Sequence, residues 1–252
     1  MLLAVDGGVG TITLNRPDQK NRLDPAAMQS LIAHINTAAA DASVRSIVLT
    51  GTGTTFCAGA DLLAAVNAEE GGFTGSGPER LATVLTTMLD CPKPIIAKVQ
   101  GHVAGGGNGL IAACDLAVAS ADARFAFSEV RVGVAPSVIS VVCLAVMHRR
   151  DAQELLLTGE RVDADRVLRA GLITAVVPAG GLYAAVSALT EQIRAGGPEA
   201  VANTKELLRR VPTMDRTDAF AWTAKKSAAL FGSEEAREGM TAFLQKRPPS
   251  WL

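Results

Sequence analysis

The sequence is poor in the residues that usually hold metals or disulfides. It has three His and four Cys among 252 residues, and aromatic residues make up 4% of the chain. The cysteines are far apart, none stands in a C-x-x-C pair, and no H-E-x-x-H motif occurs. A zinc site or a disulfide framework therefore has no support, and we predict no metal site. We interpret each cysteine as a small buried hydrophobic residue; the four are Cys57, Cys91, Cys114 and Cys143.

The sequence also lacks an excess of charge and a long apolar run. Its 24 Lys and Arg residues nearly balance 25 Asp and Glu residues, which gives a net charge of −1. Such a chain has no overall positive field to hold a phosphate backbone, so we expect no nucleic-acid partner. The longest uncharged apolar-rich run, residues 132–147, contains 16 residues, fewer than the ~20 that cross a membrane. With no basic segment before an apolar stretch at the N-terminus, the sequence predicts a cytoplasmic protein without a membrane partner.

Small apolar residues are abundant, and their pattern is that of a packed α/β protein. The chain is 48% hydrophobic and contains 24 Gly. Its first half alternates short strands with helices, which favours largely parallel strand pairing. Asp6-Gly7-Gly8 predicts a hairpin, and Asp24 followed by Pro25 predicts the start of a helix. The predicted strands are 2–5, 9–14, 44–49, 95–99, 115–119, 125–127 and 173–177, with a helix at 78–89.

Helical patterns dominate the second half of the chain. The predicted helices are 137–147, 151–158, 163–169, 181–194, 198–209, 215–230 and 233–246. Residues 67–77 read NAEEGGFTGSG and have few apolar anchors. This composition predicts a flexible loop or lid.

Several common catalytic signatures are missing. The sequence has no G-x-x-x-x-G-K-[ST] loop and no G-x-S-x-G elbow. The glycine run at 105–109 does not form G-x-G-x-x-G, because Leu110 stands where the third glycine would be. Neither a P-loop nor a dinucleotide-binding fingerprint is therefore indicated.

Two loops rich in glycine and alanine remain, each leading from a strand toward a helix. They are residues 56–62, FCAGADL, and residues 101–110, GHVAGGGNGL. Small side chains at such a junction let a ligand approach backbone N–H groups, and a helix N-terminus adds partial positive charge. Two such loops could direct two N–H groups at one oxygen, which is the chemistry of an oxyanion hole. The alternative is that the glycines only permit close packing or a tight turn.

Five segments together resemble the enoyl-CoA hydratase/isomerase (crotonase) family, in order and over nearly all of residues 9–247. They are LNRPDQKNRL, FCAGADL, KPIIAKVQGHVAGGGNGLIAACDLAVAS, ARFAFSEVRVGVAP and LLLTGERVDADRVLRAGLITAVV. The resemblance implies an α/β fold, a crotonase-like spiral of ββα units followed by a C-terminal helical region. It implies an acyl-CoA site within residues 1–190 and a trimerisation region at 191–252. The expected assembly is a homotrimer or homohexamer.

The resemblance also implies roles for individual residues. The N–H groups of Ala60 and Gly106 are expected to form the oxyanion hole. The coenzyme A arm of an acyl-CoA thioester substrate is expected along Gln19, Lys20, Arg22, Ala58, Asp61 and Leu62. Phe243 and Lys246 match positions that reach the nucleotide, often that of a neighbouring subunit; for Lys246 the alternative is a solvated helix end. No cofactor is expected beyond the coenzyme A of the substrate.

The acid–base residues depart from the family pattern. Glu129 matches one of two glutamates that family hydratases place at the site, while Gly109 stands where the other would be. A carboxyl group in an apolar pocket has a raised pKa and becomes a usable acid and base; the alternative is a surface carboxylate. His102, Asp61 and Asp115 are the other nearby polar candidates, and we interpret each as structural.

One carboxylate leaves three functions open. The favoured function is hydration of a 2-enoyl-CoA thioester through an enolate held in the oxyanion hole. The favoured substrate is of the methylglutaconyl type, because hydratases of that kind share the GGGxGL and SEVxxGxxP patterns, and other branched enoyl-CoAs fit the same pattern. The alternatives are isomerisation of a 3-enoyl-CoA to a 2-enoyl-CoA, and a non-catalytic acyl-CoA-binding protein.

Overall fold

The computed structural model describes residues 1–60 and 77–252. Two predicted coenzyme A contacts, Asp61 and Leu62, lie outside the described residues, as does nearly all of the predicted lid at 67–77.

The N-terminal elements follow the sequence prediction closely. Strand β1 (Leu2–Asp6) and strand β2 (Val9–Leu14) form an antiparallel hairpin. Helix α1 (Pro25–Ala40) begins after Asp24, whose carboxylate accepts a hydrogen bond from the backbone N of Ala27. Both the hairpin and the helix start are therefore confirmed.

The larger sheet has six strands in the order β1-β2-β3-β5-β7-β10. Apart from the β1–β2 hairpin, every neighbouring pair in it is parallel. This confirms the expected parallel pairing. The strands beyond the hairpin are β3 (Ser46–Gly51), β5 (Ile95–Val99), β7 (Leu116–Ser120) and β10 (Ala175–Val177).

A second sheet of four short strands holds the two glycine-rich loops side by side. Its order is β4 (Thr55–Cys57), β6 (His102–Ala104), β8 (Arg124–Ala126) and β9 (Arg161–Asp163). Three of these strands were not predicted, because three residues are too few to show an alternating apolar pattern. Strands β4 and β6 are parallel neighbours, so both loops leave the same end of the sheet.

Apart from α3, which was expected after the second glycine-rich loop without bounds, the helices match the predicted helices to within a few residues. They are α2 (Gly77–Asp90), α3 (Gly106–Ala113), α4 (Ser137–Val146), α5 (Arg149–Thr158), α6 (Ala164–Arg169), α7 (Leu182–Ala195), α8 (Pro198–Arg210), α9 (Arg216–Phe231) and α10 (Glu234–Gln245). Most buried side chains form one core, whose largest members are Phe56, Phe125 and Phe127. A smaller cluster packs Leu182 and Val186 of α7 against residues of the larger sheet. Of the described helices, none combines the length and the apolar character of a membrane span.

The C-terminal helices are anchored to the α/β core by polar contacts. Lys205 of α8 is buried, and its Nζ lies 2.8 Å from Oδ2 of Asp115. The same ammonium donates to the carbonyl oxygens of Met88 and Lys93, each at 3.2 Å. The predicted boundary at residue 190 falls within α7, and the division into residues 1–190 and 191–252 stays a prediction.

Candidate active site

The two glycine-rich loops meet backbone to backbone. Gly59 has a φ of +81°, and a β-carbon there would lie 2.9 Å from the backbone N of Gly106 and 2.8 Å from the carbonyl O of Ala104. Contacts this close exclude a side chain at position 59. Close packing of the loops, the alternative explanation for the glycines, is therefore real, and it places Gly59, the residue before Ala60, against Gly106.

Among the described residues, the backbone amides of Ala60 and Gly106 have no hydrogen-bond acceptor. Leu23 holds the first loop in place, because its backbone N donates to the carbonyl O of Gly59 at 2.8 Å. Gly106 is the first residue of α3, where unpaired N–H groups and the helix dipole produce partial positive charge. Within the described ranges, both amides are therefore left available to an acceptor.

Gly105 gives the second loop its shape. Its φ of 50° and ψ of −123° lie in a region that side chains disfavour. Its backbone N donates to the carbonyl O of Ala126 at 3.2 Å. A β-carbon built on Gly105 would lie 3.5 Å from Oε1 of Glu129. The Glu129 carboxyl group therefore lies alongside the turn that leads to Gly106.

Glu129 occupies a short 3-10 turn, Ser128–Val132, that follows strand β8. Its Oε2 is buried and has no hydrogen-bond partner among the described residues. Burial raises the pKa of this carboxyl group above its usual range. Glu129 is thus a partly buried acid with one unengaged oxygen, and the surface-carboxylate alternative is not supported.

Cysteine thiols near the site remain protonated. Burial raises the pKa of Cys143 to about 12, and the nearby Glu129 carboxylate adds to the effect. Burial likewise raises the pKa of Cys57 to about 12. These thiols act as small apolar groups, and within the described ranges no cluster of His, Cys, Asp or Glu could hold a metal ion.

The space beside Gly109 is filled by an aliphatic side chain. A β-carbon on Gly109 would lie 2.5 Å from Cγ2 and 3.0 Å from Cβ of Ile139. Ile139 belongs to α4 and is 2% exposed. Position 109, where the family resemblance leads one to expect a second glutamate, has no room for a side chain while Ile139 stays in place. The role of Ile139 was not predicted, because nothing in the local sequence indicates that it packs on Gly109.

Two of the three other candidate proton donors have partners of their own. Nη2 of Arg161 lies 2.6 Å from Nδ1 of the exposed His102. Partial burial lowers the pKa of His102, and so do three nearby cations, Arg161, Arg124 and Lys20. Asp115 pairs with Lys205 and accepts a hydrogen bond from the backbone N of Ile95 at 2.7 Å. The third candidate, Asp61, lies outside the described residues.

The segment predicted to hold the coenzyme A arm lies against the first loop. Gln19 and Lys20 are exposed, and the backbone N of Ala58 donates to the carbonyl O of Lys20 at 3.0 Å. The side chain of Asn21, which sequence analysis missed, fixes this segment. Its Nδ2 donates to the carbonyl oxygens of Thr52 at 3.0 Å and Thr55 at 2.7 Å. Its φ of 52° is left-handed, a conformation that asparagine tolerates better than most residues. The residue type at position 21 was the one feature of the sequence that could have indicated this role.

The two residues predicted on the terminal helix lie on the surface. Phe243 of α10 is 82% exposed, and the exposed Lys246 ends the helix with a left-handed φ of 54°. Within the described residues, neither side chain forms a hydrogen bond or an ion pair with the loops around Glu129. Their contact with a neighbouring subunit's nucleotide stays a prediction.

Comparison with known proteins identifies the family of the chain. The family described as enoyl-CoA hydratase/isomerase matches residues 4–252. The enoyl-CoA hydratase EchA19 of Mycobacterium tuberculosis is 34% identical, over 95% of this chain and 91% of that protein. The short-chain-enoyl-CoA hydratase of Clostridium acetobutylicum is 31% identical, over 98% and 95%. The crystal structure of an enoyl-CoA hydratase from Mycobacterium smegmatis is 38% identical, covers 99% of this chain and 98% of that one, and superposes with a TM-score of 0.93. The chain therefore has the crotonase fold and is an enzyme of the enoyl-CoA hydratase/isomerase family.

Proposed function

We propose that this protein adds water to a 2-enoyl-CoA thioester. The observation that carries the proposal is the position of the Glu129 carboxyl group beside the Gly105–Gly106 turn. Burial raises the pKa of this group, and its Oε2 has no hydrogen-bond partner among the described residues. The names of the relatives from Mycobacterium tuberculosis and Clostridium acetobutylicum support the same reaction. The proposed oxyanion donors are the amides of Ala60 and Gly106.

In the proposed reaction Glu129 accepts one proton and later donates it. The ionised carboxylate accepts a proton from water while the oxygen of that water adds to C3 of the enoyl group. The electron pair of the double bond moves onto the thioester oxygen, and hydrogen bonds from Ala60 and Gly106 stabilise the enolate. Loss of one such donor raises an activation barrier by roughly 3 kcal/mol. Glu129 then returns the proton to C2, which regenerates the carboxylate and completes a syn addition.

A carboxyl group with a raised pKa suits this double task. A general base works best when its pKa lies near the operating pH, because both the accepting and the donating form are then accessible. Ile139 fills the space next to Gly109, so the protein offers no second carboxylate at that position. A carboxylated substrate, such as a methylglutaconyl-type thioester, would itself supply a carboxylate in addition to that of Glu129.

The substrate's coenzyme A arm is proposed to lie along Gln19, Lys20, Arg22, Ala58, Asp61 and Leu62. A homotrimer or homohexamer would place Phe243 and Lys246 of one subunit against the nucleotide bound by another. The ammonium group of Lys246 suits contact with the phosphates of coenzyme A, since charge-assisted hydrogen bonds to phosphate are stronger than neutral ones.

The single carboxylate favours a second candidate reaction. Moving the double bond of a 3-enoyl thioester into conjugation requires only that one group remove a proton from C2 and return it to C4. Glu129 alone could do this with the same oxyanion hole. Water is not consumed in this reaction, and that difference separates the two candidates.

The test is turnover of a panel of linear, branched and carboxylated enoyl-CoAs in water labelled with heavy oxygen. Mass analysis of a hydroxyacyl-CoA carrying the label would support hydration. Conversion of 3-enoyl to 2-enoyl thioesters without label would replace the proposal with isomerisation. Binding without any turnover would indicate the non-catalytic alternative. The variant E129Q should lower kcat by two to four powers of ten and leave thioester binding nearly intact; unchanged kcat would remove Glu129 from the mechanism.

A further inference from the structure

We propose that Asn108 is a positioning residue that holds the Gly106 amide and the Glu129 carboxyl group in a fixed mutual arrangement. The inference rests on the proposed function for its effect on turnover. It concerns a residue that touches neither the reacting thioester oxygen nor, in the proposed reaction, any proton.

The side chain of Asn108 joins helix α3 to strand β8. Asn108 is completely buried, two residues after Gly106. Its Nδ2 donates to the carbonyl O of Ala126 at 2.9 Å, and its backbone N donates to the carbonyl O of Gly105 at 2.9 Å. The backbone N of Gly105 donates to the same Ala126 oxygen at 3.2 Å. One carbonyl therefore anchors both the turn before Gly106 and the first turn of the helix.

The Ala126 carbonyl also lies close along the chain to the acid–base residue Glu129. Ala126 is the last residue of β8, and Glu129 follows three residues later. On the other side, Gly105 approaches the Glu129 carboxyl group so closely that an added β-carbon would lie 3.5 Å from Oε1. The hydrogen bonds among Asn108, Ala126 and Gly105 thus join the two segments that carry the catalytic groups. A displacement of about 1 Å between such groups can lower a rate about 100-fold, so the tie at Asn108 bears on turnover.

Stability alone does not explain an asparagine at this position. Its Oδ1 is buried and has no hydrogen-bond partner within the described ranges. A buried acceptor without a partner is unfavourable, and an apolar side chain of similar shape avoids that penalty. Leucine is such a side chain: it removes the Nδ2 donor together with the unpaired Oδ1. We therefore expect N108L to remain folded with a melting temperature close to that of the wild type.

The experiment compares N108L with a matched control in the intact protein. The control is N203L, because Nδ2 of Asn203 also donates to a carbonyl oxygen, that of Glu199, on the exposed face of α8. We expect kcat of N108L to fall 10- to 100-fold while KM for an enoyl-CoA changes less than threefold. N203L should leave both constants unchanged. Wild-type kcat in N108L would overturn the inference and leave the proposed function standing.

A second measurement does not depend on turnover. The pKa of the Glu129 carboxyl group can be followed by carbon-13 NMR in the wild type, N108L and N203L without substrate. If Asn108 holds Glu129 in its buried setting, the pKa falls toward its ordinary value in N108L only. An unchanged pKa in N108L would overturn the inference even if the wild type hydrates no thioester of the panel.

A third variant covers the case in which N108L does not fold. N108D has the shape of asparagine, and its carboxyl group donates to the Ala126 oxygen only when protonated. We expect its kcat, divided by that of the wild type at the same pH, to decrease as pH rises. A ratio of one at every pH, with the protein folded, would contradict a positioning role.

Discussion

The packing of Ile139 against Gly109 allows a quantitative test of why the site has one carboxylate. The distance of 2.5 Å between a β-carbon at position 109 and Cγ2 of Ile139 is about 1.0 to 1.5 Å shorter than an ordinary carbon–carbon contact. Overpacking of this kind costs about 1 to 3 kcal/mol. Replacing a helical glycine by alanine gains up to about 1 kcal/mol in helix propensity. We therefore expect G109A to lower the free energy of unfolding by about 0 to 2 kcal/mol.

A double-mutant cycle separates the clash from the propensity gain. I139A alone opens a cavity in the core and is expected to cost about 2 to 5 kcal/mol. It also removes the atom nearest to position 109, so alanine at 109 becomes far less unfavourable in that background. The cycle G109A, I139A and G109A/I139A should show a stabilising coupling of about 1 to 3 kcal/mol between the two substitutions.

Denaturant unfolding at one fixed protein concentration measures all four proteins, since assembly would make the midpoint concentration-dependent. If G109A proves about 1 kcal/mol more stable than the wild type, the space beside Gly109 is open and the steric reasoning is wrong. Zero coupling in the cycle would lead to the same conclusion.

Two further predictions concern Lys205 and Glu129. The variant K205M removes the buried ammonium that pairs with the partly exposed Asp115. Loss of this donor should lower the free energy of unfolding by about 1 to 3 kcal/mol, measured by denaturant unfolding. The surface control K225M should change little, and equal losses in both variants would contradict the anchoring of α8 by Lys205. Because burial raises the folded-state pKa of Glu129, the wild type loses stability as pH rises from the ordinary pKa of a glutamate to the folded value. E129Q avoids this loss, so its melting temperature should exceed that of the wild type at neutral pH, and the difference should vanish below the ordinary pKa. A difference independent of pH would refute the burial of this carboxyl group.

Much of the fold was predictable from local patterns. The hairpin around Gly7-Gly8, the start of α1 at Asp24 and the helices of the second half follow from turn residues, capping and periodicity, all of which act over a few neighbouring residues. The second sheet was not predictable in the same way. Strands such as Thr55–Cys57 and His102–Ala104 are three residues long, and only pairing between distant segments makes them strands.

The candidate site likewise has features that follow from residue identity and features that follow from packing between distant segments. Residue identity alone indicates that glycine-rich loops lead toward residues 60 and 106, that Glu129 is present and that position 109 carries no carboxylate. The packing of distant segments establishes that Gly59 lies on Gly106, that Ile139 closes the space beside Gly109, and that Asn108 and Gly105 share the carbonyl of Ala126. Each of these contacts joins residues on separate elements, and no pattern within one segment contains their distances. The pKa of Glu129 belongs to the second group as well, since it is raised by burial, and burial is a property of the packed chain.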